Sequence, residues 1–101
     1  MEINDYQLQI RNFATYPVDI GPFTVILELQ NNVGNLSQKL NKVLVNDHGT
    51  FSNEDKFKVA ISLGDILNNI SNIATDLNLT MNDIISINLT KHSKKVENKK
   101  T

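Results

Sequence analysis

Two rows of polar side chains recur at alternating three- and four-residue spacing, and they hold the best candidates for chemistry. Positions three and four apart lie on one face of a helix, so each row predicts a continuous polar stripe. Two such stripes on the two helices of a hairpin can face each other. The same spacing also fits two solvated helix faces, and periodicity alone leaves both interpretations open. The rows are Glu28, Asn32, Asn35, Lys39 and Lys42, and then Ser62, Asp65, Asn69, Asn72 and Asp76.

The rows are carried by two long segments, 22–45 and 53–77, which we predict to be the second and third of four helices. Each segment also has an apolar row spaced 3, 4, 3, 4, 3, and this face is expected to be the core. Asn46-Asp47-His48-Gly49 between them favours a turn, so the two helices form an antiparallel hairpin. The apolar rows are Ile26, Leu29, Val33, Leu36, Leu40 and Val43, and then Ala60, Leu63, Leu67, Ile70, Ala74 and Leu77.

Further isoleucines widen the apolar face of the third helix. Ile61, Ile66 and Ile73 predict that it is buried on more than one side, which suggests a partner subunit. The fourth helix continues its inner face through Ile84, Ile87 and Lys91, and the basic tail from about residue 92 is expected to fray.

Capping-box spacing marks three helix starts, because a side chain at the first position and another three residues later can bond to free backbone N–H groups. The first helix is predicted over 4–14, with Asn4 as its N-cap. A loop from Tyr16 to Gly21 then leads to a helix with Pro22 in its first turn. The capping pairs are Asn4 with Gln7, Ser52 with Asp55, and Thr80 with Asp83.

Length and composition predict a single all-α domain over residues 1–101. One core is thin at this size, so we expect stabilisation as a homodimer or homotetramer. The net charge of -1 argues against nucleic acid as a partner. The chain has no Cys, a polar N-terminus and no apolar run near the ~20 residues of a membrane span, which favours a cytoplasmic protein without membrane contact.

Several segments, taken in order, resemble one known family. The stretch with LQNNVGNLSQKLNKVL, the loop before S-N-E-D, the L-G-D-I-L of the third helix and the N-L-T-K near the end are similar to MazG-like all-α nucleoside triphosphate pyrophosphohydrolases. The resemblance covers about residues 5–96. It implies a four-helix MazG-like bundle and Mg²⁺-dependent cleavage of nucleoside triphosphates to monophosphate and pyrophosphate.

The same resemblance implies a metal site made of an E-x-x-E on the second helix and an E-x-x-D on the third. In this chain those four positions are Asn32, Asn35, Ser62 and Asp65, so three of the four expected carboxylates are missing. The 15 Asn and 3 Ala of the chain fit a general bias of an AT-rich genome. That bias explains only in part why Asn would replace Glu at both positions of one motif.

The loss of these ligands predicts no cofactor, or weak Mg²⁺ binding at most, because Mg²⁺ sites in proteins usually rely on carboxylates. Asp65 is the remaining candidate ligand, and Glu28 is a possible compensating ligand one turn before Asn32. The resemblance implies phosphate contact at Asn88 and Lys91, with Lys95 near a following basic position. The negative end of the dipole of the fourth helix would also explain lysines near its C-terminus.

These observations lead to the hypothesis of a MazG-like pseudoenzyme that binds or sequesters a nucleotide, or a nucleotide signal, without hydrolysing it. A small Asn-rich chain of this kind would suit a phage. Two alternatives stay open. One is an active Mg²⁺-dependent pyrophosphohydrolase with a site rearranged around Asp65 and Glu28, and the other is a non-catalytic protein-interaction module.

Overall fold

A computed structural model describes residues 1–100, with side chains for residues 1–96. This part of the chain consists of four helices joined by turns and loops, without a strand. The all-helical prediction is therefore confirmed. The helices are α1 (Ile3–Arg11), α2 (Phe23–Asp47), α3 (Asn53–Asp76) and α4 (Met81–Lys100).

The two long helices form the predicted antiparallel hairpin. The turn begins at His48, which ends α2 in the left-handed conformation with φ 53°, and Gly49 follows with φ 82°. Ser52 then starts α3 with a complete capping box, because its Oγ accepts from Asp55 N and the Asp55 carboxylate accepts from Ser52 N, both at 3.0 Å. The cap predicted from spacing is confirmed.

The start of α1 differs from the prediction. Glu2 is its N-cap and makes no side-chain cap bond, while Asn4 lies inside the helix. Asn4 Oδ1 instead accepts from Asn82 N at 3.0 Å, across to α4. The capping box of α4 is present as predicted, since Thr80 Oγ1 accepts from Asp83 N at 3.1 Å.

Gln7 connects α1 to the junction between α3 and α4. Its Oε1 accepts from the backbone N of Met81 at 2.9 Å. Its Nε2 donates to Thr75 Oγ1 at 3.0 Å and to the Leu79 carbonyl at 2.9 Å. The capping role predicted for Gln7 in α1 is therefore wrong, and the side chain satisfies backbone groups of another helix instead.

The loop between α1 and α2 is held to the end of α3 by a buried carboxylate. Asp76, whose side chain is 2% exposed, pairs with Arg11 at 2.8 Å and accepts from the Tyr16 hydroxyl at 2.7 Å. Burial raises the pKa of Tyr16, and so does its bond to Asp76. Gly21 packs so close that a Cβ there would lie 2.5 Å from Asp76 Oδ2, which leaves no room for a side chain.

The interior of the single chain is more polar than the sequence predicts. Among the described side chains, the buried apolar residues are Val25, Val43, Ala74 and Met81, and the buried polar ones are Gln7, Ser62, Asn69, Ser71 and Asn72. The prediction that the apolar rows form the core is thus wrong for half of the α2 row. Leu29 and Leu36 are half-buried, but Ile26, Val33 and Leu40 are exposed.

Half of the α3 row is likewise exposed, at Ala60, Leu63 and Leu77. Of the isoleucines expected to bury α3 on more than one side, Ile66 and Ile73 are half-buried and Ile61 is exposed. In α4, Ile84 is half-buried, but Ile87 and Lys91 are exposed, so the inner face predicted for them is wrong. Where a frayed tail from about residue 92 was expected, α4 continues to Lys100. No helix in the described part of the chain has the length and hydrophobicity to cross a membrane.

Candidate binding seam between α2 and α3

Two polar pairs connect the long helices at mid-length. Asn32 Nδ2 donates to Asn69 Oδ1 at 2.7 Å. Lys39 Nζ donates to Ser62 Oγ at 2.6 Å and to the Lys58 carbonyl at 3.4 Å. We call these four side chains, Asn32, Lys39, Ser62 and Asn69, the polar seam. The two polar rows of the sequence therefore meet at these positions instead of lying on separate solvated faces.

The seam places a cation where the family resemblance would place an acid. Ser62 is buried and occupies the first position of the E-x-x-D motif, and the ammonium that contacts it belongs to half-buried Lys39. Ammonium donors favour anionic oxygens such as those of carboxylate or phosphate. This part of the seam is therefore suited to an anion.

A cavity of about 260 Å³ opens beside Lys39 towards the turn of the hairpin. Lys42 and Lys58 line it together with Lys39, and Asp47 and Asp55 balance part of their charge. Hydrogen bonds from Ser52 hold the pKa of Asp55 below its usual value, so this acid stays ionised. Typical small-molecule sites measure ~300–1,000 Å³, so the cavity has room for an anionic group the size of a phosphate, and the rest of a nucleotide would lie outside it.

A second, smaller cavity of about 90 Å³ lies nearer the other end of the seam. Glu28, Asn68, Asn69 and Asn72 line it, together with the loop after α1. Asn72 Nδ2 donates to Asn68 Oδ1 at 2.9 Å. Asn72 Oδ1 is buried and has no hydrogen-bond partner among the described residues, so an acceptor is left unpaired beside this cavity.

The two acids that could form a rearranged metal site lie far apart along the hairpin. The two seam pairs set the register of α2 against α3. Lys39 lies seven residues after Asn32, and its partner Ser62 lies seven residues before Asn69. Glu28 is then level with Ile73, eight residues beyond Asp65. At 1.5 Å per residue, about 12 Å along the helix axis separates the backbone positions of Glu28 and Asp65.

That separation does not fit one shared ion, because Mg²⁺ ligands lie only about 2.0–2.1 Å from the metal. Asp65 is exposed and near Tyr6 of α1, where burial raises the pKa of the phenol and the charge of Asp65 raises it further. Asn35 is also exposed. Among the described side chains, no three His, Cys, Asp or Glu residues are placed to hold a metal ion.

The predicted phosphate contacts on α4 lie outside the seam. Asn88, Lys91 and Lys95 are exposed. Among the described residues, the helix pairs that contact each other through several residues are α2 with α3, α1 with α3, and α1 with α4. A single chain therefore does not bring these three residues together with the seam.

The sequence interpretation missed Lys58 and Asn68. Lys58 lies one turn before Ser62, so it extends the polar row of α3 and could have been found from the same spacing. Asn68 lies beside that row, and its role at the small cavity depends on how α1 and its loop pack. No local signal marks it.

Comparisons with protein-family models, curated proteins and solved structures give no match for this chain. The resemblance to MazG-like proteins therefore stays a prediction from the sequence.

Proposed function

We propose that the chain is a MazG-like pseudoenzyme that binds a nucleotide, or a nucleotide-derived signal, without hydrolysing it. The observation that carries this proposal is the ammonium of Lys39, which contacts Ser62 where an active relative would hold a metal-binding carboxylate. A fixed positive charge at this position can pair with phosphate oxygens without a divalent ion. Lys42 lines the same cavity and adds to that charge, whereas the ammonium of Lys58 pairs with Glu54 at 3.2 Å.

The asparagine amides at the small cavity support the same proposal. Each Asn side chain offers both donors and an acceptor, so a row of them can match the mixed edge of a nucleobase. An unpaired buried acceptor such as Asn72 Oδ1 costs about 1–3 kcal/mol. A ligand donor in the small cavity would offset this cost.

The first alternative is an active Mg²⁺-dependent pyrophosphohydrolase that uses Glu28 and Asp65. The register of the hairpin weighs against it, because the two carboxylates cannot bind one ion across about 12 Å. The second alternative is a protein-interaction module, which the exposed apolar residues of α2 and α3 favour.

Assembly into a homodimer or homotetramer belongs to the proposal, and the cytoplasmic location and phage origin stay predictions from composition.

Calorimetry in EDTA with ATP, GTP, CTP, UTP and their monophosphates tests the proposal. We expect saturable binding of at least one of these probes, and no pyrophosphate release when Mg²⁺ or Mn²⁺ is added. Turnover that is abolished by Asp65→Ala would overturn the proposal in favour of the enzyme. Absence of binding for every probe would overturn it in favour of the interaction module.

A charge variant with a matched control connects binding to the seam. Lys39→Met keeps most of the side-chain volume but removes the ammonium, and it should weaken binding about tenfold or more, equivalent to about 1.4 kcal/mol. Lys56→Met removes the same charge from an exposed position of α3 that does not line the cavity, so affinity should not change. Equal losses for both variants would indicate unspecific attraction to positive charge.

A further inference from the structure

The small cavity at the Glu28 end of the hairpin differs in charge from the cavity beside Lys39. Its lining includes one carboxylate, that of Glu28, and among the described residues no lysine, arginine or histidine lines it. An anionic group is unsuited to this cavity, because the charge of Glu28 would repel it. At about 90 Å³ the cavity holds one small group or the edge of a ring, since typical small-molecule sites measure ~300–1,000 Å³.

The unpaired acceptor at this cavity is Asn72 Oδ1. Asn72 is 7% exposed, and among the described side chains that line the cavity no other buried nitrogen or oxygen lacks a hydrogen-bond partner. Its Nδ2 donates to Asn68 Oδ1 at 2.9 Å, which fixes the orientation of the amide. An N–H group within about 2.9 Å would satisfy the oxygen. A carbonyl brought to the same place would set acceptor against acceptor, so the cavity distinguishes amino groups from carbonyl groups.

An aromatic side chain lies at the same cavity. Phe13 lines it, and 76% of the surface of Phe13 is exposed. Nucleobases stack on exposed aromatic rings, and such stacking depends little on which base is present. Phe13 can therefore hold the ring of any base, while Asn72 and Glu28 distinguish the group on its edge.

The two cavities lie along the same polar rows of the hairpin. Glu28 and Lys39 belong to one row of α2. Ser62 and Asn72 belong to the row of α3 that meets it. Ten residues separate Ser62 from Asn72, which is about 15 Å at 1.5 Å per residue. A nucleotide with a chain of phosphates is long enough to place its terminal phosphate at Lys39 and its base at Phe13.

We propose that the small cavity selects nucleotides whose base carries an exocyclic amino group, as adenine and cytosine do. Bases with a carbonyl at that position, such as hypoxanthine and uracil, are disfavoured. The amino group donates to Asn72 Oδ1 and to the Glu28 carboxylate, and the ring stacks on Phe13. This inference rests on the proposed nucleotide binding and specifies which bases the same site accepts.

Calorimetry in EDTA with two pairs of nucleotides tests the selection. Within each pair, ATP with ITP and CTP with UTP, an amino group is exchanged for a carbonyl. The amino member should bind between about fivefold and about a hundredfold more tightly, because its partner leaves a buried acceptor unpaired. Equal affinities, as expected if an ordered water satisfies Asn72 Oδ1, or a reversed order would overturn this inference and leave nucleotide binding intact. Absence of binding for all four nucleotides would overturn the proposed function together with it.

A variant of Glu28 assigns the selection to this cavity. The amide of Glu28→Gln both donates and accepts, so it can also pair with a carbonyl, and the ratio of ATP affinity to ITP affinity should fall. Glu2→Gln is the matched control, because Glu2 is also exposed and does not line the small cavity, and it should leave the ratio unchanged. A ratio that Glu28→Gln leaves unchanged would overturn the role of this carboxylate in the selection.

Two phenylalanines separate stacking from selection. Phe13→Ala should weaken ATP and CTP binding alike, by about fivefold or more, because it removes the ring on which the base stacks. Phe23 is 77% exposed at the start of α2 and does not line the small cavity, so Phe23→Ala should leave both affinities unchanged. Unchanged affinities in Phe13→Ala, or equal losses in both variants, would overturn the placement of the base at this cavity.

Discussion

Lys39 Nζ lies 2.6 Å from Ser62 Oγ, so an ammonium is present where the resemblance to MazG-like proteins predicts a carboxylate. This contact has a consequence for attempts to restore a metal site. A Glu at position 62 would pair with Lys39 before it could bind Mg²⁺, because the cation already lies within hydrogen-bond distance. The ammonium therefore has to be removed together with the restoration.

We predict that Asn32→Glu, Asn35→Glu and Ser62→Glu together raise Mg²⁺ affinity only modestly, and that adding Lys39→Met raises it about tenfold further. Three added carboxylates supply the hard ligands that Mg²⁺ requires, and the last change removes the competing charge. Calorimetric titration with MgCl₂ measures both steps. If the fourfold variant binds Mg²⁺ no better than the unmodified chain, the motif positions assigned from the family resemblance are wrong.

Replacing Gln7 with Leu should destabilise the fold by about 2 kcal/mol, because the buried N–H of Met81 loses its acceptor. Urea unfolding measures the loss. Gln9→Leu is the matched control on an exposed position of α1 and should change stability by less than about 0.5 kcal/mol. Faster hydrogen exchange at the Met81 amide in the Gln7 variant alone would locate the effect at the junction.

Two glycines should respond to alanine in opposite directions. Gly21→Ala forces a Cβ against Asp76 and the Tyr16 ring, and it should cost about 2 kcal/mol or more. Gly34 lies within α2 with open space around its Cα, so Gly34→Ala should stabilise the chain by about 0.5–1 kcal/mol through helix propensity. Thermal unfolding of both variants checks the pair, and a destabilised Gly34 variant would contradict the open space seen in one chain.

The capping box at the start of α3 predicts a pH-dependent contribution to stability. The pKa of Asp55 is lowered by its bond from Ser52, so the folded state binds a proton less readily than the unfolded state. This contribution is present above the unfolded pKa and is lost as the pH falls through the lower folded value. Urea midpoints of Asp55→Asn and of the unmodified chain should therefore converge towards acid pH.

Two further variants separate the cap from general charge effects. Ser52→Ala removes the side-chain acceptor of the cap and should cost about 1 kcal/mol at neutral pH. Asp19→Asn changes an exposed acid in the loop before α2 and should change stability at neutral pH by less than about 0.5 kcal/mol. A loss at Asp19 as large as that at Asp55 would contradict the capping explanation.

Helix positions and two of the three predicted caps could be predicted because they depend on neighbouring residues. The pairs Ser52 with Asp55 and Thr80 with Asp83 satisfy backbone groups three positions away, so their spacing is enough to locate α3 and α4. The polar rows were predicted for the same reason. Their contact through Lys39 and Ser62 needed the register of the hairpin, which spacing within one helix does not contain.

The burial of the apolar rows required the tertiary structure. A 3, 4, 3, 4 row covers a wide stripe of a helix, and α3 packs against only one half of that stripe on α2. Val43 is therefore buried, while Val33, within the same predicted row, is exposed. Gln7 and Met81, like Arg11 and Asp76, are more than 60 positions apart, and their contacts arise from packing between helices. Periodicity within the chain determines which side chains share a helix face, whereas the fold determines which neighbour that face meets.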